Sequence, residues 1–235
     1  MIVGFWNVQR ATNPNPNSEK AGWRAGFFQY QLSEWLLNRA PGPRPDVLFL
    51  AEVSQSGPQL AAVMAVQHAN YRFQYVPVQG PAGGVSICSF MVVWRNHLGP
   101  LAPVQPIGNN VRRPAVRLRT NNRDLVGVHI IANRDKSLEE SLTFCTDLTA
   151  SSNPVLLIGD MNYPAEKLTA ADRQPFNALG FRYVSPNMQG KTFWGEATLD
   201  YAWCEPGINN ATGRPPYPSY SEWDAIDHAP VAYKI

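Results

Sequence analysis

Two short apolar runs, each closed by an acid, limit most strongly how this chain folds. Asp46-Val47-Leu48-Phe49-Leu50-Ala51-Glu52 and Pro154-Val155-Leu156-Leu157-Ile158-Gly159-Asp160 are apolar on every residue between their ends. A strand apolar on both faces is covered on both faces, so each run predicts a central strand with other elements packed above and below it. Each also delivers a carboxylate at its C-terminal end, where ligands collect in α/β folds. A length of 235 residues allows one large α/β domain, here taken to span residues 1–235. The share of hydrophobic residues, 44%, against 16% charged excludes a disordered chain.

The rest of the chain alternates short apolar strands with helical stretches, without an internal repeat or a linker. Phe5-Trp6-Asn7-Val8 closes a first strand, and Asn13-Pro14-Asn15-Pro16-Asn17 is a loop. Helices are predicted over 19–38, with Phe28, Leu32, Trp35 and Leu36 on one face, and over 58–69 and 138–148. Further strands are predicted over 71–78, 85–95, 114–120, 125–131, 198–204 and 229–235. Residues 205–225, rich in Pro, Gly, Asn and aromatics, read as one long loop.

No apolar run is long enough to cross a bilayer, and no basic region followed by an apolar stretch opens the chain. The expected setting is the cytoplasm, or outside the cell as a processed effector. Cys88, Cys145 and Cys204 are odd in number and widely spaced, which points to buried reduced thiols and not to a disulfide framework or a zinc site. Net charge is only +2, but its distribution is uneven. Arg112, Arg113, Arg117, Arg119, Arg123, Arg134 and Lys136 face only Asp124 and Asp135 in one window, a local balance of +5. Such a stripe suits an anionic ligand approaching one side.

Glu52, Asp160 and Asp200 fall at or near strand ends, and Asp227 just before the last strand. Converging carboxylates repel one another, and a hard divalent cation with oxygen ligands removes the conflict. Mg²⁺ is the expected cofactor, with Mn²⁺ as its substitute. In Gly159-Asp160-Met161-Asn162-Tyr163, glycine lets the backbone approach a ligand. Asp160 and Asn162 point the same way if the segment is extended. In Asp227-His228-Ala229-Pro230-Val231, the histidine can face a phosphate or act as a general base, with Asp200 as its partner. His129 lies in the apolar strand Gly127-Val128-His129-Ile130-Ile131, where a lone histidine is ordinarily a core residue. His68 and His97 are read as structural.

Taken in order, these pieces resemble the endonuclease/exonuclease/phosphatase superfamily, the deoxyribonuclease-I-like fold. The resemblance runs from Trp6-Asn7 to Asp227-His228-Ala229-Pro230-Val231. It implies a four-layer α/β sandwich of two packed mixed β-sheets flanked by helices. It also implies Glu52 as the main metal ligand with Asn7 and Asp227 nearby, and Asp160 and Asn162 positioning water or phosphate. His228 paired with Asp200, together with His129, would activate water and neutralise phosphoryl oxygens. Departures are Ile226 before Asp227, where Ser is common, and Gln9, where repair-type members carry an acid. Tyr75-Val76-Pro77-Val78-Gln79 also lacks the Glu that partners the strand histidine in pancreatic-type nucleases.

Arg112-Arg113-Pro114-Ala115-Val116 resembles a segment of deoxyribonuclease I and of the cytolethal distending toxin catalytic subunit, and Val128-His129 with Ala132-Asn133 resembles the strand-histidine segment of the toxin. Arg113, Arg117 and Arg119 share a face of a period-two strand, and Arg119 and Arg123 are read as solvated. Arg95, Arg112, Arg113 and Asn133 are the phosphate-binding candidates. Gly-Asp-x-Asn-Tyr is followed by Pro164, not Arg, and Trp203-Cys204 by Glu205-Pro206, which argues against an inositol 5-phosphatase. The expected activity is metal-dependent hydrolysis of DNA phosphodiesters. The alternative is a phosphoinositide phosphatase or sphingomyelinase-type lipid hydrolase, for which Tyr217, Tyr220 and Trp223 would be lipid contacts. A non-catalytic binding module of the same fold is the third reading.

Overall fold

A computed structural model describes residues 1–8, 19–37, 43–53, 56–78, 88–99, 101–108, 113, 115–186, 191–193, 196–208, 211–214 and 228–235. One six-stranded sheet runs in the order β11 (Thr212–Arg214), β12 (Val231–Lys234), β1 (Ile2–Asn7), β2 (Val47–Val53), β4 (Ser89–Arg95), β3 (Tyr71–Val76). The other runs β5 (Gln105–Ile107), β6 (Ala115–Arg119), β7 (Asp124–His129), β8 (Val155–Asp160), β10 (Asp200–Cys204), β9 (Arg182–Val184). Each sheet has one parallel pair, β1 with β2 and β7 with β8, and antiparallel neighbours elsewhere.

The two apolar runs are β2 and β8, and both are central, because each strand feeds two cores. From β1 and β2, Val3, Phe5, Val47, Phe49 and Ala51 point between the sheets, where they meet Leu125, Leu156, Ile158 and Ala202 of the other sheet. Their alternates Trp6, Leu48 and Leu50 face outward onto Phe28, Leu32 and Trp35 of α1 (Glu19–Leu36) and Met64 of α2 (Gly57–Gln67). On the far side, Val126, Val128, Val155, Leu157, Tyr201 and Trp203 pack under α3 (Arg134–Leu148) and α4 (Ala170–Ala178). The Phe176 ring of α4 stacks on Trp203 with centroids 3.9 Å apart. Helix, sheet, sheet, helix is the four-layer arrangement that the resemblance implies.

Gly159 has a second reason besides the one the sequence suggests, close contact with the neighbouring strand. A Cβ there would lie 2.0 Å from the Val128 carbonyl oxygen of the neighbouring strand. Other elements escape sequence reading. Pro175 sits inside α4, and the helix is signalled instead by a capping box between Thr169 and Asp172. β5 contains Pro106 and is an edge strand, where proline is tolerated. The predicted loop over 205–225 is broken by a 3₁₀ turn at Pro206–Ile208 and by β11, while Tyr217, Tyr220 and Trp223 lie outside the described residues. No helix among the described residues is long and apolar enough to cross a membrane. The three cysteines are buried and unbridged, as expected.

Candidate active site

The site is the end of the inter-sheet core. Asn7, His129, Asp160 and Asp200 continue the inward-facing alternation of β1, β7, β8 and β10, so each is the polar residue that closes an apolar file. Three of them stand abreast in register, His129 with Asp160 and Asp160 with Asp200. Asn7 pairs in register with Ala51, one residue before Glu52. By simple alternation Glu52 would point outward to the helices. A register shift between Leu50 and Val53 breaks the period, and Glu52 takes φ +56°. This bulge turns its carboxylate into the cleft and puts Val53 back on the outer face. Asn162, at φ +47°, is the other non-glycine residue with positive φ among the described residues. Backbone strain of this kind gathers at functional sites.

The distances make one constellation. The Asn7 amide donates to Asp160 Oδ2 at 3.1 Å and to Glu52 Oε1 at 3.5 Å. His129 Nε2 lies 3.4 Å from Glu52 Oε1 and 3.6 Å from Asp160 Oδ2. His228 Nδ1 donates to Asp200 Oδ2 at 2.8 Å, and its Nε2 stands 3.6 Å from Asp160 Oδ2. The Trp6 indole donates to the His228 carbonyl at 2.9 Å. The segment after β8 is a turn and not extended: Asn162 N–H donates to Asp160 Oδ1 at 2.9 Å, and the Asn162 amide donates to the Ile130 carbonyl at 2.8 Å.

Burial raises the Asp160 carboxyl to about 7, with His228 opposing and the Asp200 charge adding to the rise. Burial holds His129 well below its ordinary value, helped by the Arg113 and His228 charges. A neutral His129 accepts at Nε2 from the Arg113 guanidinium, which also donates to the Ile130 carbonyl at 3.1 Å. The proton of His129 is then on Nδ1, which has no hydrogen-bond partner among the described residues. The permanent positive charge at this point of the cleft is therefore Arg113, and His129 aims it.

The donor set fits a hard divalent cation. An unprotonated His129 Nε2 lies 3.4 Å from Glu52 Oε1 and 3.6 Å from Asp160 Oδ2, acceptor against acceptor, with the Asn7 amide between the two carboxylates. A cation with oxygen ligands relieves that crowding and draws the Asp160 carboxyl back down. Asp160, Asp200 and His228 also have ligand atoms within 4.8 Å of one another. In that group His228 Nδ1 already donates to Asp200, so both this group and the Glu52–Asn7 side could hold the ion.

Two expectations need correction and two lie out of reach. Arg95 pairs with Asp46 at 3.0 Å, beside the start of β2 and so at the opposite end of the sheet from Glu52. It is not a phosphate ligand of this cleft. The basic stripe also runs away from the site: Arg119 and Arg117 lie 3.0 Å and 3.8 Å from the buried Asp124, at the start of β7. Asn133 stands exposed just before α3, its carbonyl accepting from Ser137 N–H at 2.9 Å. Asp227 and Arg112 fall outside the described residues. His68, with Ser33 at 3.0 Å, and His97, 3.8 Å from Asp46, are away from the cleft. Thr192, which touches both Asp200 and the segment of His228, was not singled out. Its signal is a polar residue at the head of Thr192-Phe193-Trp194.

A two-sheet sandwich with acids and histidines gathered at one end of both sheets defines a phosphoesterase fold. The profile of the Endonuclease/Exonuclease/phosphatase family matches residues 4–219, and the chain belongs to that family. Similar solved structures include an AP endonuclease from Archaeoglobus fulgidus, 13% identical, TM-score 0.67, covering 100% of this chain and 99% of that one. A mannosyl-6-phosphatase from Bacteroides thetaiotaomicron is 14% identical, TM-score 0.67, with 100% and 98% covered. The human Nocturnin catalytic domain is 14% identical, TM-score 0.64, with 99% and 93% covered. No curated protein sequence matches the chain.

Proposed function

We propose that this chain is a divalent-metal-dependent phosphodiesterase that cleaves a nucleic-acid backbone, DNA foremost, by in-line attack of water. The observation that carries the reading is the His228–Asp200 pair at 2.8 Å, facing Asp160 across from Glu52 and Asn7. Asp200 fixes the His228 tautomer and presents Nε2 to the cleft. Asp160 Oδ2 takes the proton of the attacking water as the new oxygen–phosphorus bond forms, and the sugar oxygen leaves with the electron pair of its broken bond and takes up a proton from solvent. Kept as the imidazolium by the Asp200 carboxylate, His228 donates its Nε2–H, and Asn162 its second amide hydrogen, to phosphoryl oxygens. Arg113, held by His129 and the Ile130 carbonyl, neutralises the single charge of a diester. Glu52 and Asn7, with Asp227 beside His228 in sequence, would hold a divalent cation, which when bound would supply Lewis-acid stabilisation of the developing charge.

DNA is favoured by Arg113 in the cleft and by the segments Arg112-Arg113-Pro114-Ala115-Val116 and Val128-His129, which support a reading among the deoxyribonuclease-type members. The Archaeoglobus fulgidus AP endonuclease shows that this fold carries endonucleases. The test is nicking of supercoiled plasmid with and without Mg²⁺ and chelator, using His228→Ala and Asp160→Ala as controls. The parent nicks only with the metal, and each variant loses about 10²-fold or more of the rate. Phosphate release from a phosphoinositide without nicking overturns the DNA assignment in favour of the monoesterase.

A further inference from the structure

We infer that Thr192 is a positioning residue for the proposed hydrolytic site, holding both ends of the His228–Asp200 hydrogen bond with its two oxygens. Its Oγ1 accepts from Leu199 N–H at 2.9 Å and from Asp200 N–H at 3.0 Å. Its carbonyl accepts from Ala229 N–H, next to His228, at 2.7 Å. Thr192 is fully buried. The following residue, Phe193, forms a β-bridge with His228 and lays its ring 5.0 Å from the imidazole.

The sheet explains why a side chain is required. On one side of β10, Asp200 is paired with Asp160 of β8. On the other, β9 reaches only Ala202, Trp203 and Cys204. The Leu199 and Asp200 N–H groups lie beyond the end of β9, part-buried and buried in turn, and need acceptors that β9 does not supply. One hydroxyl serves both. Because the same residue also anchors Ala229, it ties the strand carrying Asp200 directly to the segment carrying His228. Asp200 Oδ1 has no hydrogen-bond partner among the described residues, and the carboxylate is oriented by the backbone that Thr192 holds and by its bond from His228.

The role rests on the hydrolase reading, and its test has one arm independent of activity. Thr192→Val keeps the shape and removes the acceptor, and Thr192→Ser restores it. In the full chain, proton NMR follows the downfield Nδ1–H resonance of His228, assigned by its loss in His228→Ala. Hydrolysis of bis-p-nitrophenyl phosphate with Mg²⁺ gives kcat and KM. Thr192→Val is expected to lower kcat about tenfold with KM within about twofold, and to move or broaden the resonance, while Thr192→Ser stays within about threefold of the parent on kcat. A Thr192→Val protein with parental kcat and an unmoved resonance overturns the inference, as does a Thr192→Ser protein as impaired as Thr192→Val. If Thr192→Val does not fold, Thr192→Ala and Thr192→Ser are compared on the same two readouts, with the same outcomes deciding. A parent that hydrolyses nothing refutes the hydrolase reading, and the resonance still decides whether Thr192 holds the pair.

Discussion

Glu52 shows what a functional position costs at the scale of one residue. It holds φ +56° among crowded acceptors, with His129 Nε2 3.4 Å from its Oε1. A side chain with a Cβ loses roughly 1–2 kcal/mol in that conformation. Glu52→Gly is therefore expected to raise Tm in metal-free buffer by about 2–4 °C while abolishing hydrolysis. Differential scanning calorimetry of parent and variant checks it, and an unchanged or lower Tm counts against strain at this residue. The identity of Glu52 was legible, because an acid ends an apolar run. Its direction was not: strict alternation of β2 aims it at the helices, and only the bulge, a feature of strand pairing, turns it inward. Asn7, His129, Asp160 and Asp200 needed no such correction, since alternation alone carries each to the inter-sheet side. Arg95 misled for the converse reason. Its place at the end of β4 is evident from sequence, but β4 runs antiparallel to β2, so its end is the wrong end of the sheet.

At the scale of elements, the turn after β8 is fastened to the segment before β10 by one carboxylate. Glu166 accepts from the Lys191 ammonium, from the Thr198 hydroxyl and from Thr198 N–H, the last at 3.1 Å. Burial would raise its carboxyl, but Lys191 and Thr198 dominate and bring it down to about 2. The folded value lies below the ordinary 4.5, so the clamp stabilises fully above that value. Its contribution is lost as pH falls from there towards about 2. Melting temperature measured between pH 6 and pH 2.5, on the order of one reading per half unit, is expected to fall less steeply for Glu166→Gln than for the parent, with the two converging at the acid end. Parallel curves for the two proteins would show that the clamp contributes nothing. None of this was legible in the sequence, where Glu166, Lys191 and Thr198 are separated by up to 32 residues. The central strands were legible because apolar runs survive any choice of partner. β5, β9 and β11 were not, being three residues long each, too short to show a period.

For the whole molecule, the two parallel pairs decide where function sits. β1 with β2 and β7 with β8 send their C-terminal ends to the same edge, and the antiparallel β10 brings Asp200 back to it. Thus six side chains drawn from Asn7 to His228 share one cleft at the end of a common apolar core. The order of motifs foretold the family because it encodes this topology. It could not foretell that Arg117 and Arg119 of the basic stripe are tied to Asp124 at the opposite edge.

The most direct test of the account is a Mg²⁺ titration of phosphodiester hydrolysis, with bis-p-nitrophenyl phosphate as substrate, comparing the parent with Glu52→Gln. The parent is expected to be inactive in chelator and to saturate with Mg²⁺. Glu52→Gln, which loses one ligand charge, is expected to need about tenfold or more Mg²⁺ for half its maximal rate. Hydrolysis by the parent that persists undiminished in chelator, or identical Mg²⁺ dependence in the two proteins, would contradict a cation held at Glu52.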